Sequence, residues 1–101
     1  MDIEFDPKKD ASNLTKHGIR LARASEFSPV AILEDTRKNY GETRYRAFGF
    51  IGFIGTKAHA LAFTVTEDRK SGAKRVRAIS LRPATEQEIK NYDLSKKNRP
   101  R

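Results

Sequence analysis

This chain of 101 residues contains no cysteine, which excludes disulfides and thiolate metal sites and fits a reducing compartment. It has only two histidines, His17 and His59, and no pair of acids at ligand spacing, so no side-chain metal centre is expected. There is no phosphate-cradling glycine loop and no serine set in a His/Asp pattern suited to acyl transfer. The longest apolar stretch, Ala47 to Gly55, is far too short to span a bilayer. The N-terminus carries Asp2, Glu4 and Asp6 where a secretory signal would be basic and then apolar. These absences predict a cytoplasmic protein that works without a metal or an organic cofactor.

What the chain has in excess is positive charge. Its net charge is +8 and its pI about 10.1, so phosphate backbones, anionic membranes and acidic proteins are its natural partners. The charge is unevenly placed. The first ten residues are acid-rich, while Arg69 to Arg82 holds Arg69, Lys70, Lys74, Arg75, Arg77 and Arg82 without an acid. These residues lie mostly in strand-like segments, so a basic amphipathic membrane helix fits poorly. The length predicts one small domain over residues 1–94 with limited core. A basic C-terminal tail, 95–101, carries Lys96, Lys97, Arg99 and Arg101.

Periodicity and punctuation order the elements. Residues 2–5 read as a first strand, and the segment 7–17 as a helix with both ends written in. Asp6 caps its free N–H groups, Pro7 sits where a missing N–H costs nothing, and Gly18 supplies the left-handed stop. A second helix is predicted over about 20–27, closed by Ser28-Pro29. Strands follow at Val30 to Leu33, Arg44 to Ile51, Ala58 to Thr66 and Arg75 to Arg82. The third of these has a face of alanines that a helix can approach closely, which places it centrally. Thr85 opens the last helix, with Glu88 at capping-box spacing. The order β-α-α-β-β-β-β-α predicts an α+β domain, an antiparallel β-meander with helices packed on one face.

The opening pattern Phe5-Asp6, then Lys9, Asn13 and Lys16-His17-Gly18, together with Ser80-Leu81-Arg82-Pro83-Ala84 and Glu88, resembles the BrnT family of bacterial toxins. The likeness runs from Phe5 to Tyr92 and rests on the order and spacing of elements that are individually weak. It implies a RelE-like fold and a ribonuclease toxin of a type II toxin–antitoxin pair. It also implies a neutralising partner, a BrnA-like ribbon-helix-helix antitoxin, through which the pair would bind operator DNA and repress its own operon.

The candidate residues suit metal-free RNA cleavage. That reaction needs a base for the ribose 2′-hydroxyl, cations for the pentacoordinate phosphate and a donor for the leaving 5′-oxygen. Arg82 matches the family's arginine, and a planar, permanently charged fork suits phosphate. It is expected on the same side of its strand as Ser80, Ala78 and Val76. Glu88 matches as a base, with capping as its structural alternative. Glu42 and Arg44 match a Gly-Glu-x-Arg element of relatives. Lys9, Asn13 and Lys16, at i, i+4 and i+7, form one helix stripe able to track a phosphate backbone, and Arg69 and Arg77 are further RNA-binding candidates. His17 has a pKa range suited to proton transfer; His59, among Leu61, Phe63 and Val65, reads as a core or edge residue. Relatives carry an arginine at the end of the strand matching Ala58–Thr66, whereas this chain has Thr66 there and Arg69 three residues on. Phe53 and Ile54 are expected to expose an apolar docking surface. The alternative to an RNA-cutting enzyme is a non-catalytic nucleic-acid-binding module, or a degenerate toxin acting only as a regulatory partner; the interleaved Arg44-Tyr45-Arg46-Ala47-Phe48 would serve either.

Overall fold

The computed structural model describes residues 3–52 and 57–94. Asp6 accepts a hydrogen bond from the Lys8 N–H at 2.9 Å, Pro7 opens the helix, and Gly18, at φ 73°, closes it. Helix α1 therefore runs Pro7–His17, as the capping residues predict. Strand β1, Ile3–Glu4, precedes it. The next segment is tighter than expected: Leu21–Glu26 is a 3₁₀ helix, and β2 begins at once, spanning Phe27–Asp35. Ser28-Pro29 thus lies inside a strand rather than ending a helix. Pro29 is tolerated because β2 is an edge strand with a bulge between Pro29 and Ala31. That bulge presses on β3. A Cβ at Gly49 would lie 2.1 Å from the Ser28 carbonyl oxygen, so glycine is the residue that lets the two strands pair.

Strands β3 (Arg44–Ile51), β4 (Ala58–Glu67) and β5 (Lys74–Pro83) follow, then helix α2 (Glu86–Asn91). The sheet order is β1-β5-β4-β3-β2, which puts the alanine-faced β4 at the centre as expected. β2 to β5 form the antiparallel meander, while β1 pairs parallel to β5 and makes the sheet mixed. The predicted turn with Phe53 and Ile54, and the tail 95–101, lie outside the described residues.

The α+β architecture is as the sequence predicts, but the helices do not share one face. Alternate residues of the strands feed two separate clusters. Leu21, Ala24, Ala47, Ile51, Leu61, Phe63, Ala78 and Leu81 close one face under the 3₁₀ segment. Phe48, Phe50, Ala58 and Ala60 close the other, with Ile89, Tyr92 and Leu94 packed against them. α2 takes this second face because the alanines of β4 leave room for it, and Tyr92 stacks on Phe48 with ring centroids 4.3 Å apart.

A second bulge corrects another expectation. Ala62 pairs with Ser80, but the next residue, Phe63, pairs with Ala78, so Ile79 is an extra residue in β5. Ala78 consequently points into the Leu81 cluster, away from Ser80 and Arg82. Beyond the bulge the alternation restarts. Arg77 lies opposite Thr64 and Arg75 opposite Thr66, and both join Arg82 on the α2 side of the sheet.

Asn13 explains how α1 docks. β1 pairs with β5 only at Val76 and Arg77, leaving the rest of that edge open. The Asn13 side-chain amide completes it, donating to the Leu81 carbonyl at 2.7 Å and accepting from the Leu81 N–H at 3.0 Å. It also donates to the Ile19 carbonyl at 2.8 Å. One side chain thus does the work of a neighbouring strand.

Candidate active site

Helix α2 is short and covers only half of its face. Beyond it, β4 presents Ala62 and Thr64, and β5 presents Ser80, so the floor there is built from small side chains. The walls are arginines. β3 contributes Arg44 and Arg46, in line with Phe48 and Phe50, and β5 contributes Arg77 and Arg82. β3 and β5 stand two strand spacings apart, about 10 Å, so the result is a trough of single-strand width.

Arg82 stands where the trough meets α2. Its two terminal nitrogens grip the Glu88 carboxylate as a fork, at 2.8 and 2.9 Å. The side chains are 33% and 14% exposed respectively. Glu88 also completes the capping box: its carboxylate accepts from the Thr85 N–H at 2.9 Å, and the Thr85 hydroxyl accepts from the Glu88 N–H at 3.2 Å. Glu88 thus caps α2 and holds Arg82 with the same carboxylate. Hydrogen bonding to Arg82, against the opposing effect of burial, holds the carboxyl down at about 2. The same bond pushes the Arg82 guanidinium up. A carboxylate that acidic, with both oxygens engaged, orients Arg82 well and accepts protons poorly.

The opposite wall is a connected network that the sequence did not reveal. Asp35 is buried and takes a bidentate grip from Arg37, both contacts 2.8 Å, while the Tyr40 hydroxyl donates to it at 3.0 Å. The Arg37 hydrogen bonds hold the Asp35 carboxyl well below the usual carboxylate range. Arg44 lies over the Tyr40 ring, 4.3 Å from its centroid, and its Nε donates to Glu42 at 3.0 Å. The Glu42 side chain is 46% exposed, and one of its oxygens carries no hydrogen bond among the described residues. Asp35 and Tyr40, nine and four residues before Arg44, were the signal; only the folded loop shows that they converge.

The α1 candidates divide. Asn13, expected to bind RNA, is 5% exposed, and its amide is committed to Leu81 and Ile19; it is a structural residue. At about 100° per residue, Asp10 and His17 fall on one flank of Asn13, and Lys9 and Lys16 on the other. Asp10 accepts from the Ala22 N–H at 2.9 Å, so its flank faces the 3₁₀ segment. Lys9 and Lys16, both exposed, therefore lie on the trough flank, and half-buried His17 lies away from Arg82. Arg69 sits in the β4–β5 turn, beyond Thr66, six residues along β4 from the level of Arg82. That is about 20 Å of strand, so neither Thr66, which lies opposite Arg75, nor Arg69 beyond it stands beside Arg82. His59 is buried, with Nδ1 2.7 Å from the Lys57 carbonyl, and desolvation pushes its pKa down.

Among the described residues no three His, Asp or Glu side chains converge as a metal site, and no helix is long and apolar enough to cross a membrane. A small α+β domain with an arginine-walled trough and a clamped arginine at one end defines the class: a basic domain with a cationic surface of single-strand width. The particular family follows from comparison. Residues 5–88 match the family described as the ribonuclease toxin, BrnT, of type II toxin–antitoxin systems, and the chain belongs to it. Membership carries a ribonuclease activity at family level and an antitoxin partner. No curated protein matches the chain.

Proposed function

We propose that this protein is a metal-independent endoribonuclease toxin that cuts single-stranded RNA through attack of the ribose 2′-hydroxyl and so blocks translation in the cytoplasm. The observation that carries the reading is Arg82, held as a fork by Glu88 at the end of the trough. A clamped, permanently charged donor of this kind stabilises the charge that builds on a pentacoordinate phosphate, an effect of about 10²–10³-fold for one well-placed donor. Glu88 positions Arg82. Glu42, with its uncommitted oxygen, takes the 2′-hydroxyl proton, and Arg44 fixes its orientation. Lys9, Lys16 and Arg77 follow the flanking backbone. A BrnA-like ribbon-helix-helix antitoxin neutralises the enzyme and contributes the base contacts when the pair represses its operon.

The purified protein is expected to degrade single-stranded RNA in excess EDTA. The products should end in a 2′,3′-cyclic phosphate and a free 5′-hydroxyl, and RNA methylated at every 2′-oxygen should survive. Cleavage that stops on chelation and returns with magnesium overturns the mechanism. A second reading, a degenerate toxin serving only as a regulatory partner, is favoured by Thr66 at the place of the relatives' arginine; toxicity on expression separates the two.

A further inference from the structure

The trough holds one arginine whose state the catalytic reading leaves unexplained. Arg46 has a buried Nε that meets no hydrogen-bond partner. Arg37, Arg44, Arg75 and Arg82 each hold a carboxylate, whereas Arg46 has none among the described residues. Its guanidinium instead rests over the Phe48 ring, 5.6 Å from the centroid. That ring is itself immobilised, wholly buried and stacked on Tyr92. A buried donor without a partner is rare in folded proteins and marks a group waiting for a ligand, a water or an ion.

We propose that Arg46 is a substrate-binding arginine, which with Arg77 across the trough grips an RNA phosphate next to the one that Arg82 attends. The inference rests on the nuclease reading for the identity of the strand. Register places the two residues suitably. Arg46 is opposite Ala62, and Ala62 is opposite Ser80, so nothing larger than a hydroxymethyl group stands between Arg46 and β5. Arg77, exposed and without a carboxylate partner among the described residues, lies on the same face one step beyond, opposite Thr64. The resting arrangement leaves the Nε edge of Arg46 unmet. Turning the guanidinium off Phe48 offers that edge, the bidentate one, to a phosphate at the trough floor.

The test measures binding apart from cleavage. A fluorescent 2′-O-methylated oligoribonucleotide, which 2′-hydroxyl attack cannot cut, is titrated with wild type, Arg46→Gln and Arg46→Lys over a range of salt. Arg46→Gln should weaken binding about tenfold and reduce the slope of log K against log salt by about 0.7, the value for one phosphate contact on a single strand. Arg46→Lys should restore the slope and only part of the affinity, since a point charge replaces a fork. On cleavable RNA the loss should appear in KM rather than kcat. Thermal melting checks the fold, and Arg77→Gln offers the same readout from an exposed position. Unchanged affinity and salt slope in both Gln variants overturn the proposal. So does intact RNA binding with weakened capture of the antitoxin, which would make the trough a protein-docking surface. Wild type that binds the methylated strand but never cuts RNA would sink the nuclease reading while leaving the Arg46 result standing.

Discussion

The α2 side of the sheet has two halves built from the same strands, and they serve opposite ends. In one half β3 presents Phe48 and Phe50, β4 presents Ala58 and Ala60, and Ile89, Tyr92 and Leu94 seal them from water. Two residues further along the same rows, β3 presents Arg46 and Arg44 and β4 presents Ala62 and Thr64. No helix covers that half among the described residues, although Thr64 is buried there. The alanines play a part in both: they let α2 approach closely in the first half and leave a floor for a ligand in the second. Arg82 and Glu88 sit on the border. Their ion pair is therefore dry enough to be rigid and open enough to be reached.

The sharpest way to break this comparison is at the border. Arg82→Ala should reduce RNA cleavage by about 10²–10³-fold, measured below a Tm that falls because Glu88 loses its partner, and Arg82→Lys should recover only a small part of the activity. Full activity of both variants would make Arg82 a solvated strand-end residue. The next effect is on stability. Asn13→Ala strands the Leu81 N–H and carbonyl and should cost about 2–3 kcal/mol in denaturant unfolding, without altering the salt dependence of RNA binding. A change in that slope would return Asn13 to the RNA surface.

Glu88→Gln keeps a carbonyl for the cap but loses the charged clamp, so cleavage should fall about tenfold and Tm should fall at neutral pH. Its pH signature is separate. The Glu88 carboxyl is held at about 2 against an ordinary 4.5. Its stabilising effect is thus complete above about pH 4.5 and lost as pH falls toward 2. Glu88→Gln should flatten that part of the acid unfolding curve. Thr85→Ala attacks the same helix end without touching the clamp, and should cost about 1 kcal/mol with normal kcat. The smallest effect is expected at His17. It lies on the far flank of α1, so His17→Ala should leave the pH–rate profile unchanged, and a lost ionisation there would reassign the base from Glu42.

Much was legible in the chain because it rests on local chemistry. Asp6, Pro7 and Gly18 wrote the ends of α1, Thr85 and Glu88 wrote the capping box, and alternation marked β3 to the residue. Alanines at alternate positions correctly made β4 central. The lysine–asparagine–lysine stripe misled because helical spacing reports a shared flank and says nothing of what stands opposite. Asn13 met a bare strand edge, and Lys9 and Lys16 met solvent. Ser28-Pro29 misled for a related reason: a proline that stops a helix can also sit at a sheet edge, and only pairing distinguishes them.

By itself the sequence determined the element order, the caps and the excess of positive charge, since these depend on composition and on neighbours within a few residues. The tertiary structure decided which face each arginine joins. A single extra residue, Ile79, inverts the alternation of β5 and brings Arg77 round to the side of Arg82. It also decided that Asp35, Arg37, Tyr40 and Arg44 converge, and that Arg46 faces no acid. These are properties of register and of contact between separate strands, and register is set by packing across the whole sheet.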